Sequence, residues 1–442
     1  MAEPGVGTGT PQKKGIDWSP LWKLEDWWAV WFGFILIFLV AGGVITKVPK
    51  IGTWSALGEA FPASIWPPLI VLLIGLGILT AIGIQAMGQS AKNYLIAFPV
   101  VFALAVLAQA GGAHSVSKAY NLETPLWGLI IGLLISNTIK TPGWLKPAVK
   151  TEMYIKTGLV ILGCEILFNR IIALGAPGLI VAWFVTPIVV IFMYWFGMKV
   201  LKMDSPEFCI TLSAATSVCG VSAAIATGAA SGAKKEEIGV AITISLIFTV
   251  LMMVGMPALI LATGLDPDVG AAWMGGTIDS TGAVVAAGAF LGQRGLEISS
   301  VVKMIQNVLI GILAFVVAVI WVTKMGRTES AQHAAAKEIW IRFPKFILGF
   351  VGASLLFSFV FIPTVGEAAV DGFLSCTKTF RGWLFAMAFV SIGLDSNFKY
   401  MISQIQGGKP LIQYIIGQSF NLVLTLFIAW LCFGGILFPK TW

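Results

Sequence analysis

The chain is short of charge. Of its 442 residues, 11% are Asp, Glu, Lys or Arg, where a soluble domain carries about 25%. So few charges cannot clothe a water-facing surface of this length, so the surface must face lipid. Histidine occurs only at His114 and His333, both between apolar runs, which argues against a histidine-ligated metal centre. Five cysteines (Cys164, Cys209, Cys219, Cys376, Cys432) form no CxxC pair and lie in or beside apolar runs. They read as free thiols, not as a disulfide framework or a metal site. No polar stretch is long enough for a separate soluble domain. Enzyme signatures are missing too. GAASGAKK at 228–235 lacks the spacing of a phosphate loop, Gly75-x-Gly77 lacks a third glycine, and two loop histidines cannot supply a Ser-His-Asp or HExxH set. No enzymatic activity, cofactor or metal is expected.

What is there is apolar. Hydrophobic residues make up 57% of the chain, and the mean hydropathy is +0.90. A spanning helix needs about 20 mostly apolar residues. Eleven runs qualify: 27–46, 65–88, 94–112, 124–139, 153–169, 177–198, 238–261, 299–323, 339–361, 373–394 and 411–436. Run 124–139 is short and is expected to be interrupted or shielded by its neighbours. Trp27, Trp28 and Trp31 crowd the start of the first run, as interfacial aromatics do. Residues 1–26 read as a tail, its first 16 residues polar and disordered, without the apolar core of a signal peptide. Residues 27–436 read as one membrane domain, in which 27–64 add a helix and loop to a core at 65–436. Residues 437–442 form a short tail.

Two further segments differ. Residues 206–231 and 271–292 are apolar but dominated by Gly, Ala, Ser and Thr. Aligned without gaps, Cys219-Gly220-Val221-Ser222 falls on Thr281-Gly282-Ala283-Val284, which suggests a diverged internal repeat. A second echo pairs 161–169 (ILGCEILFN) with 391–399 (SIGLDSNFK), each followed by a proline, Pro177 or Pro410, opening the next span.

The balance of 28 Lys+Arg against 21 Asp+Glu gives a net charge of +7. The basic residues sit singly in links between spans, the signature of cytoplasmic loops and not of a nucleic-acid patch. With the N-terminus inside, Lys92, Lys140, Lys146, Lys150, Lys199, Lys202 and the link from Lys324 to Lys345 fall in the cytoplasm. Glu123, Glu367 and Asp371 fall outside. Lys234 and Lys235 also fall inside if 206–231 and 271–292 are re-entrant hairpins entering from opposite faces. Full crossing would put them outside, so the positive-inside rule favours re-entrance, the geometry of inverted-repeat transporters.

Broken membrane helices expose backbone donors and a positive dipole end to whatever fills the break. Thr216, Ser217, Cys219, Gly220 and Ser222 fit that role in one segment. Gly275, Gly276, Thr277, Ser280, Thr281 and Gly282 fit it in the other, with Asp279 at the centre as an ion-coupling candidate. Close helix packing by small residues is the plain alternative. Arg381, within span 373–394, is read as an anion contact or a partner of Asp279. Lys378, three residues before Arg381 on the same helix face, is read with it as a cationic pair that could hold an anion or pair with an acid, snorkelling being the plain alternative, and Lys303 is read as snorkelling to the surface. Glu165 and Asp395, near span ends, read equally as solvated or capping acids and as ion-coupling groups, and Asn137, Gln306 and Asn307 read as interhelical hydrogen-bonders.

Several stretches resemble one family, the YeiH-like membrane proteins labelled sulfate exporters. They are Ser217-Val218-Cys219-Gly220-Val221-Ser222-Ala223-Ala224, Lys235-Glu236-Glu237-Ile238, Asn137-Thr138-Ile139, Pro142-Gly143-Trp144-Leu145, 279–288 (DSTGAVVAAG) and Ile392-Gly393-Leu394. The resemblance covers about 65–436. It implies a fold related to the bile acid:sodium symporter-like transporters, with inverted repeats and discontinuous helices, and it implies export of sulfate or a sulfonate-type anion. Family members usually carry His-Glu just before the VVAAG patch. This chain has Asp279-Ser280 there, so coupling is not carried over.

The expectation is an all-α polytopic membrane protein of about 11 transmembrane helices plus two re-entrant segments. It would be a secondary transporter of a small anion in the inner membrane, with H+ or Na+ as coupling ion. The rivals are a sodium- or proton-coupled antiporter or organic acid symporter, and a passive anion channel. The lipid bilayer is its surroundings, no nucleic acid is a partner, and a homo-oligomer is compatible with the sequence.

Overall fold

The computed structural model describes residues 18–119, 124–166, 168–325, 343–397 and 408–440. Residues 1–16, His333, Glu123, most of the basic link before Lys345, and Phe398 and Lys399 of the second echo lie outside the described residues.

The described chain is helical, apart from one bridge pair between Trp54 and His114. Every expected span meets a helix: α1 Glu25–Ala41, α2 Trp66–Ala86, α3 Ala91–Ala113, α4 Thr124–Thr138 and α5 Thr151–Leu162. They are followed by α6 at 168–200, α7 Pro206–Ser217, α8 Gly220–Ser231, α9 Lys235–Thr263, α10 Pro267–Thr277 and α11 Thr281–Ala289. The chain closes with α12 Gly292–Met325, α13 Phe346–Val365, α14 Glu367–Asp395 and α15 Gly408–Phe433. Seven of these helices are long and apolar enough to cross a membrane. The other expected spans are shorter (α1, α4, α5) or carry more charge (α14).

Several boundaries differ from the sequence reading, and two of them around Gly163 have a clear cause. The span expected at 153–169 stops at Leu162. Gly163 turns there under the backbone of α13, where a Cβ would stand 2.2 Å from Phe350 O. The next helix starts at Phe168, so Pro177 sits inside α6 and does not open it. The lost proline donor is followed at once by a π turn over Ile180–Phe184, a common way to absorb it. Pro410 does lie in the first turn of its helix. The short α4 is uninterrupted and shielded. Its Gly132 meets Gly393 of α14 so closely that a Cβ on either would stand 2.4–2.6 Å from a backbone oxygen.

The helices form two bundles. α1–α5, α13 and α14 make the first, and α6–α12 with α15 the second. In the second, the small-residue segments are hairpins. A Cβ on Gly228 of α8 would stand 3.4 Å from Thr211 of α7, so the two arms lie side by side and 206–231 enters and leaves at one end. Asp268, at the start of α10, pairs with Arg294 at the start of α12 at 2.6 Å, and Gly275 lies against Ser299 and Val302. α10 therefore runs parallel to α12. α11 turns into α12 at Gly292 (φ +79°) and runs back along it, Gly288 against Ser299.

The hairpins enter from opposite ends. α9 lies along both, with Ile238 against Gly228, Ser245 against Gly220, and Ile260 against Gly270. It is 29 residues long, about 43 Å. The tips meet beside Ser245, about 15 Å from one end. Lys234 and Lys235 lie at the base of the first hairpin, Asp266 and Asp268 at the base of the second. Of the two arrangements open in the sequence, the chain adopts re-entrance. The alignment of the segments is off by one: the N-caps are Cys219 and Ser280.

Candidate functional site

Each hairpin tip is a pair of broken ends, and the four ends converge. Gly220 N donates to Asp279 O at 2.7 Å, tying one break to the other. Only glycine permits that approach, since a Cβ at 220 would stand 2.2 Å from Ser245 Oγ.

The C-terminal ends of α7 and α10 present carbonyls with no helical partner and a partial negative charge. Lys303 meets both. It does not snorkel. α12 begins at Gly292, seven residues before the expected span, so Lys303 lies about 16 Å along the helix and is 1% exposed. Its ammonium donates to Val218 O (2.5 Å), Ile278 O (2.7 Å) and Gln306 Oε1 (2.7 Å). The amide nitrogen of Gln306, with two protons to share, lies 3.0–3.1 Å from Ser217 O, Gly276 O and Thr186 Oγ1. Gln418 of α15 donates to Thr277 O at 3.0 Å. Side chains thus satisfy the orphan carbonyls that lipid cannot.

The N-terminal ends are left otherwise. Neither Cys219 nor Ser280 caps its helix through its side chain, and of the first-turn amides Gly220 N–H is spent on Asp279 O, which leaves α11 as the less occupied end. Cys219 and Ser280 are half-buried, and Ser222 is exposed. Between them stands Asp279, 1% exposed. Its Oδ2 accepts from Tyr414 OH (2.7 Å) and Ser245 Oγ (2.8 Å). Its Oδ1 is buried with no partner, as is Thr277 Oγ1.

Other expected residues behave differently. Thr216 and Ser217 donate their hydroxyls to Leu212 O (2.9 Å) and Ser213 O (2.7 Å) in their own helix, so neither is offered to a ligand. Thr281 Oγ1 accepts from Asn307 Nδ2 at 2.9 Å. Gly276 is wedged between Val181 and Thr425. Gly282 lies under Ile155 and is a contact between the bundles. Asn137 donates across to Ser396 O, as an interhelical amide should.

Arg381 is not at the tips and does not meet Asp279. Its Nε and Nη2 donate to Glu165 Oε1 (2.7 Å) and Oε2 (2.9 Å). It faces the base of the second hairpin around Ala289 and Gly292, about 12 Å along α11 from the tip. Glu165 is therefore a buried ion-pair partner and not a solvated cap, whereas Lys378 is exposed. Lys303, Tyr414, Ser245 and Gln418 were missed. Their signal was polarity inside apolar runs, which for Lys303 was hidden by a helix start placed too late.

The two return arms differ in surroundings. α11 is buried throughout and lies on α4, α5 and α14 of the first bundle. α8 has no comparable contact, and its stripe Ser222, Ile225, Ala229 is exposed. The bundles are closed on each other along α11 at the end of the second hairpin, while the first bundle leaves the exposed stripe of α8 uncovered.

A family model described as "Conserved hypothetical protein 698" matches residues 96–413. A UPF0324 membrane protein of Rhodopirellula baltica is 54% identical over 386 residues, 87% of this chain and 71% of that protein. One of Nitratidesulfovibrio vulgaris is 50% identical over 390 residues, 86% and 66%. The chain thus spans about two thirds of the length of these relatives. The UPF0324 inner membrane protein YeiH of Salmonella typhimurium is 23% identical over 331 residues, 74% and 87%. No solved structure matches.

Proposed function

The chain belongs to the UPF0324 membrane protein family, and on that premise we propose that it is a secondary transporter of a small oxyanion of sulfate or sulfonate type. The observation that carries the reading is the meeting of two helix N-termini, those of α8 and α11, neither capped by its N-cap side chain, inside the membrane domain. Backbone amides at a helix start, with the positive end of the dipole, favour negative charge. The opposite ends of the same breaks are neutralised by Lys303 and Gln306, so the tips offer donors and not acceptors. Gly220, Ser222, Ser280, Thr281 and Gly282 line the proposed contact, with Cys219 beside it.

Asp279 supplies the coupling. Its unpartnered Oδ1 is a place for one H+ or Na+ within reach of the anion's seat. That residue also supports the second reading, a cation-coupled antiporter or organic acid symporter. Alternating access would come from the second bundle moving against the first, and the uncovered stripe of α8 supports access at the first hairpin. The lysine-rich links at that end support a cytoplasmic reading of it by the positive-inside rule, with the N-terminus inside and the inner membrane as the proposed location. Export is the direction the family resemblance implies.

The test is uptake of radiolabelled sulfate into proteoliposomes under an imposed pH or Na+ gradient. Gradient-driven flux is expected in the wild type, with a loss of 100-fold or more in Asp279→Asn. Flux that follows voltage alone and ignores both gradients would mean a channel. No flux of sulfate, sulfonates or carboxylates would sink the transport reading.

A further inference from the structure

The proposed function leaves unused the buried ion pair at the closed end. Glu165 sits in the turn after α5, its side chain 1% exposed. Arg381 is 9% exposed and spends Nε and Nη2 on both carboxylate oxygens. Gln293, in the first turn of α12, reaches over from the second bundle. It donates to Glu165 Oε2 (3.1 Å) and Glu297 Oε1 (3.0 Å) and accepts from Arg381 Nη2 (3.3 Å). The remaining amino group of Arg381, Nη1, has no partner among the described residues, and Arg381 lines a cavity of about 250 Å³. Gln109 and Thr124 add neutral polar groups to its wall, and Ala289 and Gly292 keep that wall thin.

A desolvated guanidinium with a free amino group beside neutral donors is a receptor for a planar or tetrahedral oxyanion. Glu165 holds two of its donors, so an anion must compete for them. The charges set the terms. Glu165 and Glu297 face one guanidinium, exposed Lys378 lies one turn away on α14, and Glu367 and Asp371 share a neighbouring cavity with Glu165. An anion arriving alone adds like charge to this group. A proton on Glu165 removes one negative charge and releases Nε and Nη2 together.

We propose that this cavity is a second anion site, an antechamber at the closed end, in which an oxyanion takes the place of the Glu165 carboxylate on Arg381 while one proton from solvent goes onto Glu165. Because Gln293 bridges to both members of the pair, the exchange also loosens the second bundle from the first at that end. The binding claim stands on this geometry alone, and only the loosening rests on the transport reading.

Binding of radiolabelled sulfate to the purified full-length protein tests it. The wild type should bind about tenfold more tightly at pH 5 than at pH 8. Glu165→Gln should match the wild type's pH 5 affinity at both pH values. Arg381→Ala should lose the site. Gln109→Leu, which leaves the ion pair intact, should weaken binding several-fold and keeps the test valid if Arg381→Ala does not fold. A Glu165→Gln protein with wild-type affinity and pH dependence overturns the proposal, as does a wild type with no Arg381-dependent sulfate binding at pH 5. Asp279→Asn should abolish flux and keep this binding. A wild type without flux but with Arg381-dependent binding would remove the transport reading and leave the antechamber.

Discussion

A lysine twelve residues into an apolar helix is expensive to bury unless its ammonium is fully hydrogen-bonded. Lys303 has three acceptors, two of which are helix ends that themselves need a donor. Cost and remedy are mutual, and neither half survives alone. Replacing the side chain by Met keeps the volume and strands Val218 O, Ile278 O and Gln306 Oε1. Lys303→Met is therefore expected to lose about 2–4 kcal/mol, the size of a few orphaned buried acceptors less the relief of burying no charge. Thermal unfolding in detergent would register this as a lower midpoint, and an unchanged midpoint would mean the two helix ends find other donors. Asp279 is different. Its Oδ2 is satisfied and its Oδ1 is not, so Asp279→Asn should fold nearly as well as the wild type while losing coupled flux. The sequence pointed to Asp279 because it stands alone among glycines and hydroxyls. It did not point to Tyr414 or Ser245, whose part in the site comes from helices far away in the chain.

At the scale of elements, α4 and α14 show why a 15-residue helix can sit within a membrane domain. Gly132 and Gly393 bring the two backbones together. Around that crossing Ser136 and Asn137 donate to Ser396 O (3.0 and 2.9 Å), and Thr141 donates to Leu394 O (2.5 Å). Close approach through small residues with polar groups at its edge is how helices associate when lipid gives no hydrophobic drive. Gly393→Ala puts a methyl 2.6 Å from Leu129 O. It should cost about 1–3 kcal/mol as overpacking and lower the yield of monodisperse protein. A fully stable Gly393→Ala would show that the crossing is looser than described. The hairpins follow the same economy, since Gly228, Gly275 and Gly288 each carry a neighbouring helix on the face where a Cβ would sit.

For the whole molecule, the unequal surroundings of α8 and α11 make a prediction. Cys219, at the tip of the first hairpin, is half-buried, whereas Cys164, Cys209, Cys376 and Cys432 are buried. A membrane-impermeant maleimide should label Cys219 selectively in inverted vesicles and slowly in right-side-out ones, and saturating sulfate should slow the labelling. Mass spectrometry of the labelled chain would read this. Equal labelling from both sides would contradict the proposed access at the first hairpin.

How much of this was legible in the sequence follows from the range of the forces involved. Hydrophobic runs report transfer into lipid residue by residue, so the polytopic class and the approximate position of the helices could be read locally, seven of them long and apolar enough to cross a membrane among the described residues. The same is true of the small-residue segments, because backbone cannot approach backbone past a Cβ, and of their re-entry, because lysines at their ends are retained on one side of the membrane. Which charge meets which could not be read. Arg381 with Glu165 and Lys303 with the two broken ends are contacts across 25 to 216 positions of chain, and they depend on how the bundles dock. The sequence by itself determined that this is a membrane protein with two interrupted segments, since those facts rest on composition and local sterics. Only the tertiary structure decided that the interruptions share one lysine and that the arginine guards a different cavity, since a buried charge takes the partner that folding brings within reach and not the one that a one-dimensional pattern suggests.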